Sequence, residues 1–309
     1  MTTSALPPRF ATEVTLAGPW RSPAQMLADQ VIDGHASVHD ADAAASMGLA
    51  GAPIEGPTHL SQLDPLATLV WGRRWFEQGC ASCHFRTMVV EGEEVQATLV
   101  ADSSDLAAIE AHKRDGVPVL TGTVSVGDAG PTELERRLAS LGPPGELFVV
   151  DRLEVGMRVD AGIATLSRRE PNGPLYPFSL DDKLARITEP HPWYTAEGGA
   201  SSPWGRAVVP IEMVSVLAHK SGGALPVRSP ALGLFLDLEV RLVNGPVFVD
   251  QPYALAREVV GLSQSRRTES YWTRTTLTDA EHGTVAAEVL LHQGVFKTSY
   301  PGYPADRLT

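Results

Sequence analysis

Apolar positions recur with a helical period in some stretches of the chain and with a strand period in others. In the stretch VVPIEMVSVLAHK, the apolar side chains of Ile211, Val214, Leu217 and Ala218 share one face, which predicts a helix. Between residues 236 and 242, leucine and valine alternate with aspartate, glutamate and arginine. This alternation predicts a half-buried strand whose charged side chains face solvent.

The two halves of the chain repeat one order of elements: a polar loop, one long helix and a run of antiparallel strands. Asp33 and His35 in the loop of the first half correspond to Glu189 and His191 in the second, each pair being 156 residues apart. Since a fixed offset of this kind is typical of an internal repeat, we interpret the chain as a duplication.

A linker is predicted at Pro143-Pro144-Gly145, which divides the chain into an N-terminal domain of residues 1–142 and a C-terminal domain of residues 143–309. The long helix of the first domain covers residues 58–76. Its Asp64-Pro65 step either starts the helix, with Asp64 as its cap, or kinks a longer helix.

Charge and composition exclude several classes of protein. The net charge is -12 and basic runs are absent, so a nucleic-acid backbone would be repelled. No stretch of the sequence approaches the roughly 18 to 20 apolar residues of a membrane helix. The N-terminus shows no basic region followed by an apolar one, as a secretory signal would. We therefore expect a cytoplasmic protein with neither a membrane nor a nucleic-acid partner.

Both cysteines of the chain lie in GCASCHF, where Cys80, Cys83 and His84 have the spacing that attaches c-type haem. Haem attachment is disfavoured because no export signal precedes it and β-rich sequence follows it. A zinc site needs four ligands, and no second pair at metal spacing occurs. We predict a structural role for both cysteines, with redox chemistry as the alternative, and we expect neither a metal nor a cofactor.

The loop around Asp33 resembles the catalytic loop of the MaoC-like enoyl-CoA hydratases and dehydratases. That family's loop reads approximately G-D-x-N-P-L-H-x-D, and residues 32–40, IDGHASVHD, fall on it. The family's loop is followed by an apolar-x-x-G that opens the central helix. Pro53-Ile54-Glu55-Gly56 matches this pattern, and Gly56 follows Asp33 by the 23 residues that the family expects.

This resemblance implies an α+β double hotdog, in which two hotdog folds each wrap an antiparallel sheet around a central helix. It also implies that the two sheets join edge to edge, which would cover strand edges that are otherwise open to aggregation. The resemblance extends over both halves in outline, although the catalytic motif is matched only in part.

The family's catalytic histidine falls on Val38, which cannot transfer a proton. His39 is adjacent to it and His35 stands where the family has asparagine, so either imidazole could take the role. We predict that Asp33 and one of these histidines form the acid–base pair and that the backbone N–H of Gly56 donates to the substrate oxyanion.

The second half matches the family motif less well. Tyr194 falls at the histidine position there, and Glu212 falls at the position equivalent to Gly56. We therefore expect the first half to be active, with Trp193 and Tyr194 lining the substrate pocket.

The resemblance implies a hydro-lyase acting on an acyl thioester or a related unsaturated or β-hydroxy carbonyl compound. The alternatives are a hotdog thioesterase and a non-catalytic acyl-binding or assembly subunit, which the valine at position 38 favours. The expected partner is a small-molecule substrate, either a CoA or a carrier-protein thioester, and homodimerisation stays open.

Overall fold

The computed structural model describes residues 13–32, 34–101, 104–220 and 224–308. Its strands are β1 (Val14–Ala17), β2 (Val31–Ile32), β3 (His35–Ala36), β4 (Gly79–Phe85), β5 (Val95–Ala101), β6 (Leu106–Lys113), β7 (Pro118–Val126), β8 (Arg158–Thr165), β9 (Gly233–Leu242), β10 (Pro252–Gln264), β11 (Thr268–Asp279) and β12 (Val285–Phe296). Its α-helices are α1 (Ala41–Ser46), α2 (Asp64–Trp71), α3 (Arg73–Gln78), α4 (Glu133–Ala139), α5 (Leu180–Leu184), α6 (Ala196–Ala200) and α7 (Ile211–His219). Short 3-10 helices cover Gly56–Gln62, Pro192–Tyr194, Lys297–Ser299 and Ala305–Arg307.

Ten strands form one antiparallel sheet in the order β1-β5-β6-β7-β4-β9-β12-β11-β10-β8. Counted along the chain within each half, both sets of five strands have the spatial order first, third, fourth, fifth, second. The halves join where β4 pairs with β9, with Cys83 opposite Leu238. The repeated order and the joined edges agree with the predicted duplication, while the boundary at residue 142 stays a prediction.

The central helical segment of the second half is α7, whose residues from Ile211 to Ala218 are all buried. It lies against β8, β9, β11 and β12, and it contacts the 3-10 helix Gly56–Gln62 of the other half. Apolar residues of both halves therefore form one continuous core, and the two central helical segments meet within it.

The long helix predicted for the first half is divided into three short segments. The 3-10 helix Gly56–Gln62 leads into α2, and Gly72, with a φ of 57°, separates α2 from α3. Pro65 lies in the first turn of α2, where its missing N–H costs no hydrogen bond. α2 thus begins at this step, as the first alternative predicted, but Asp64 is not its cap, since its carboxylate accepts hydrogen bonds from Trp75 and Tyr194.

The expectation that β9 exposes its charged side chains is wrong. Asp237 and Glu239 are buried because α4 covers the outer face of the sheet beside the β4–β9 junction. Leu134 of α4 packs there in a cluster with Trp272 and Leu290. The alternation in β9 therefore reflects a polar buried layer under α4, not a solvent-facing one.

A fragment of residues 1–142 should aggregate or self-associate. It would leave one edge of β4 without its β9 partner, and unpaired strand edges promote association between chains. Size-exclusion chromatography with light scattering should show oligomers for the fragment and a discrete species for the full chain. A stable monomeric fragment would contradict both the proposed domain boundary and this explanation.

Candidate active site

A cavity of about 760 Å³ lies between the two halves, a size suited to a small-molecule ligand. The first half contributes both polar and apolar side chains to its wall, among them Val38, His39, Glu55, Gly56, His59 and Phe85. The second half contributes residues of α7, of β9 to β12 and of the segment before α5, among them Tyr176, His219, Arg257, Tyr271, Thr273 and Gln293.

His39 lies on this wall, directly after Val38 and before α1. Its Nδ1 is 2.7 Å from the carbonyl oxygen of Pro53, and since a carbonyl only accepts, Nδ1 carries the proton. Burial lowers the pKa of His39, against the smaller raising effect of this hydrogen bond. The imidazole is therefore largely neutral at pH 7, with its Nε2 lone pair available to accept a proton.

Gly56 begins the 3-10 helix that runs along the cavity. As the first residue of that helix, it has a backbone N–H without an acceptor inside the helix, and Glu55 does not cap the turn with its side chain. A Cβ at this position would lie 3.2 Å from ring carbons of Phe85. Glycine thus lets the Phe85 ring and a bound group approach a backbone donor closely.

Glu55, which sequence analysis did not single out, supplies a carboxylate to the same wall. The ammonium of Lys183 donates to Glu55 Oε2 at 2.9 Å and to the hydroxyl of Thr58 at 2.9 Å. On its other side, Lys183 lies 3.7 Å from Glu212 Oε2. Burial raises the pKa of Glu212 to about 8, although Lys183 acts in the opposite direction, so Glu212 is mostly protonated at pH 7.

His59, also unpredicted, lines the cavity one 3-10 turn after Gly56. Residues three apart share one side of a 3-10 helix, so this spacing is the signal that could have identified it. Burial, together with the charge of Lys183, lowers the pKa of His59 to about 4. Its ring is neutral and can only exchange hydrogen bonds at physiological pH.

The structure separates the two candidate histidines. His35 belongs to the short strand β3, is not part of the cavity wall, and donates from Nδ1 to the carbonyl oxygen of Ala36. Asp33 lies outside the described residues, although Val31 and Ile32 before it line the cavity. Of the two histidines, His39 is thus the one that lines the cavity.

Trp193 and Tyr194 do not line this cavity, which corrects the expectation that they form the substrate pocket. Tyr194 is fully buried and donates its hydroxyl to Asp64. The centroid of the Trp193 ring lies 4.9 Å from that of Phe76 and 4.7 Å from that of His191. Aromatic rings therefore fill the second-half region that corresponds to the first-half loop.

Cys80 and Cys83 lie on opposite faces of β4, and both are buried free thiols. Burial raises the pKa of each thiol, so neither is a ready nucleophile. His84 donates from Nδ1 to the Asp237 carboxylate at 2.6 Å, across the β4–β9 junction. Within the described residues, no group of three or more His, Cys, Asp or Glu side chains could hold a metal ion.

The purified chain should show no Soret absorbance and less than one equivalent of zinc by elemental analysis. A folded variant with both Cys80→Ser and Cys83→Ser should keep most of its activity, because neither thiol reaches the cavity wall. Complete loss of activity in such a variant, with circular dichroism unchanged, would contradict a purely structural role for these cysteines.

Comparison of the sequence with family models and with curated proteins finds no match. Among solved structures, a MaoC domain protein from Chloroflexus aurantiacus described as a dehydratase is similar, with a TM-score of 0.55, 14% identity, and 96% of this chain and 99% of that chain covered. A conserved hypothetical protein from Mycobacterium tuberculosis, described as having a double hotdog fold, gives a TM-score of 0.56 at 12% identity, covering 90% of this chain and 96% of that one.

These similarities span both halves of the chain, and they agree with the strand order and the joined edges. The chain has a double hotdog fold of the α+β class, as predicted, and its resemblance to MaoC-like proteins is confirmed at the level of the fold. No helix among residues 13–32, 34–101, 104–220 and 224–308 is long and apolar enough to cross a bilayer.

Proposed function

We propose that this protein is a hydro-lyase that adds water to, or removes it from, an α,β-unsaturated or β-hydroxyacyl thioester carried by CoA or a carrier protein. The observation that carries the proposal is the neutral His39 on the cavity wall, whose Nδ1 donates to the carbonyl oxygen of Pro53. Pro53 in turn lies three residues before Gly56, which begins the 3-10 helix along the cavity. The arrangement combines a proton acceptor with an oxyanion donor, two of the functions that this reaction requires.

In the hydration direction, His39 Nε2 takes a proton from water as the water oxygen bonds to the β-carbon. The electrons of the carbon–carbon double bond move toward the thioester oxygen, where the N–H of Gly56 stabilises the developing negative charge. A proton delivered to the α-carbon completes the addition, and dehydration follows the same steps in reverse. We assign the second acid–base function to Asp33, as the family resemblance implies.

Glu55 is a second carboxylate that could complement His39, because it lines the same wall and its charge acts to raise the pKa of His39. Its hydrogen bond to Lys183 favours a role in holding the helix start and tuning the local charge. Asp33→Asn should therefore reduce kcat by about 10² to 10⁴, whereas Glu55→Gln should reduce it less. If folded Glu55→Gln loses as much kcat as Asp33→Asn, or more, the second acid–base function belongs to Glu55.

The test is hydration of a panel of trans-2-enoyl thioesters, followed by loss of enoyl absorbance, with free thiol measured in parallel. We expect loss of enoyl absorbance without release of thiol. Thiol release without hydration would replace the proposal with a thioesterase. Tight binding of an acyl thioester with neither reaction would favour the acyl-binding subunit, for which Val38 in the cavity wall is the argument.

A further inference from the structure

The start of α7 in the second half corresponds to the start of the 3-10 helix in the first half, where Gly56 lines the cavity. α7 begins at Ile211 and runs for nine residues, so the backbone N–H of Ile211 has no acceptor inside the helix. Tyr194 lies beside this helix start, and it follows Val38 by the 156 residues that separate the two halves of the repeat. A helix start of this kind binds an anion where the space in front of it is open.

A carboxylate of the first half occupies this space. Asp64 is 4% exposed, and its Oδ1 accepts a hydrogen bond from the indole N–H of Trp75 at 2.8 Å. Its Oδ2 accepts a hydrogen bond from the hydroxyl of Tyr194. The backbone N–H of Ile211 is a third donor to the same carboxylate. Three donors, drawn from both halves of the chain, thus converge on one carboxylate.

These donors favour the ionised form of Asp64. Burial raises the pKa of the carboxyl to about 6, and the hydrogen bonds from Tyr194, Trp75 and the backbone of Ile211 each act to lower it. A carboxyl with this pKa is largely ionised at pH 7. Glu212, which follows Ile211, is mostly protonated at that pH, so it adds no second negative charge at the helix start.

Asp64 lies at the start of its own helix, α2, but its side chain serves the start of α7. Leu63 takes the N-cap position of α2, and no side chain caps that helix. An aspartate in the first turn of a helix can remain in solvent and still interact with the dipole of that helix. The Asp64 carboxylate is buried instead, which costs free energy because a charge loses its water. The three donors around it offset this cost.

The space around Asp64 has no room for a ligand while this side chain is in place. The void beside it measures about 10 Å³, against about 760 Å³ for the cavity of the first half. The rest of its lining is largely apolar and includes Phe76, Val209 and Val247. A void of this size holds one water molecule at most. The carboxylate thus stands where a small anion would otherwise bind.

We propose that the start of α7 is a second anion site and that Asp64 fills it as an internal ligand. The donors of the site are the Tyr194 hydroxyl, the Ile211 N–H and the Trp75 indole N–H. The ligand class that fits these donors is a small carboxylate. Because the chain supplies that carboxylate itself, the second half is closed to external acyl groups. This inference does not rest on the proposed hydro-lyase, and its test needs no thioester.

Asp64→Ala should convert the closed site into one that binds formate. The substitution removes the carboxylate and keeps Cβ, and formate has the shape and charge of the group that is lost. About 0.2 M formate should raise the melting temperature of the variant by at least about 2 °C relative to the same concentration of chloride, since a ligand that binds only the folded chain stabilises it. Formamide has a similar shape without the charge and should raise it by less.

The wild-type chain and Asp64→Asn are the matched controls. Both keep a side chain in the site, so formate should change their melting temperatures by less than about 1 °C relative to chloride. An equal shift in all three proteins would reveal only the general effect of a salt on folding, and it would overturn the site. The absence of any shift in folded Asp64→Ala would overturn it as well.

Tyr194→Phe tests the donor set in the Asp64→Ala background. It should weaken the affinity for formate by about tenfold, because one hydrogen bond to a charged group is lost. The affinity follows from the dependence of the melting temperature on formate concentration. An unchanged affinity would place the bound formate elsewhere and overturn the assignment.

If Asp64→Ala does not fold in chloride, the yield of folded chain on refolding in formate replaces the melting temperature as the readout. Recovery of the fold in formate but not in formamide would support the site, whereas no recovery in formate would overturn it.

Discussion

His39→Ala should lower kcat for hydration by about 10² to 10⁴, the usual effect of removing an acid–base group. The imidazole faces the cavity, and its Nδ1 proton is committed to Pro53, so Nε2 is the atom that meets the water. Initial rates with a trans-2-enoyl thioester measure the effect. Calorimetric titration with a saturated thioester should show that the variant still binds ligand.

His35→Ala is the matched control, because His35 is four residues away in the same loop and does not line the cavity. It should change kcat less than about twofold, well below the effect of an acid–base group. The acid limb of the kcat/KM profile should lie below pH 6.5, since burial lowers the pKa of His39 and the free base persists to lower pH. Wild-type rates in His39→Ala, or an equal loss in His35→Ala, would reject His39 as the base.

The repeated fold could be predicted because its signals are local and occur twice. The helical period of residues 211–218, and the strand runs that follow the helix in each half, appear directly in the sequence. Whether the charged side chains of β9 are buried or exposed could not be predicted in the same way. Whether Asp237 is exposed depends on α4, a helix about 100 residues earlier that covers the outer face of the sheet.

The candidate site was predicted only where a motif fixes the spacing of its residues. The loop pattern located His39 and Gly56, both of which line the cavity. Tyr194 failed as a pocket residue because a position in a loop does not decide which way a side chain faces. Glu55 was missed because its partner Lys183 is 128 residues away, and only the fold brings the two charges together.

Lys183→Met should destabilise the folded chain by about 3 to 5 kcal/mol, the usual effect of removing one partner of a buried ion pair. Lys183 is 2% exposed and its ammonium lies between Glu55 and Glu212. The variant would leave the Glu55 carboxylate buried without its cation, and methionine cannot replace the hydrogen bond to Thr58. The free energy of unfolding at pH 7, measured by urea denaturation, is the readout.

Lys113→Met is the matched control, because its ion pair with Glu93 lies nearer the surface, and it should cost less than about 1 kcal/mol. Adding Glu55→Gln to Lys183→Met should recover part of the lost stability by removing the unpaired charge.

Glu212→Gln gives a separate signature. Burial raises the pKa of Glu212 from its ordinary value of 4.5 to about 8. Between these two pH values, the folded chain therefore retains a proton on Glu212 that the unfolded chain has released. Stability contributed by this group is present below pH 4.5 and is lost as pH rises toward 8, so Glu212→Gln should flatten that decline. A Lys183→Met variant as stable as Lys113→Met would show that the two central helical segments do not depend on this buried ion pair.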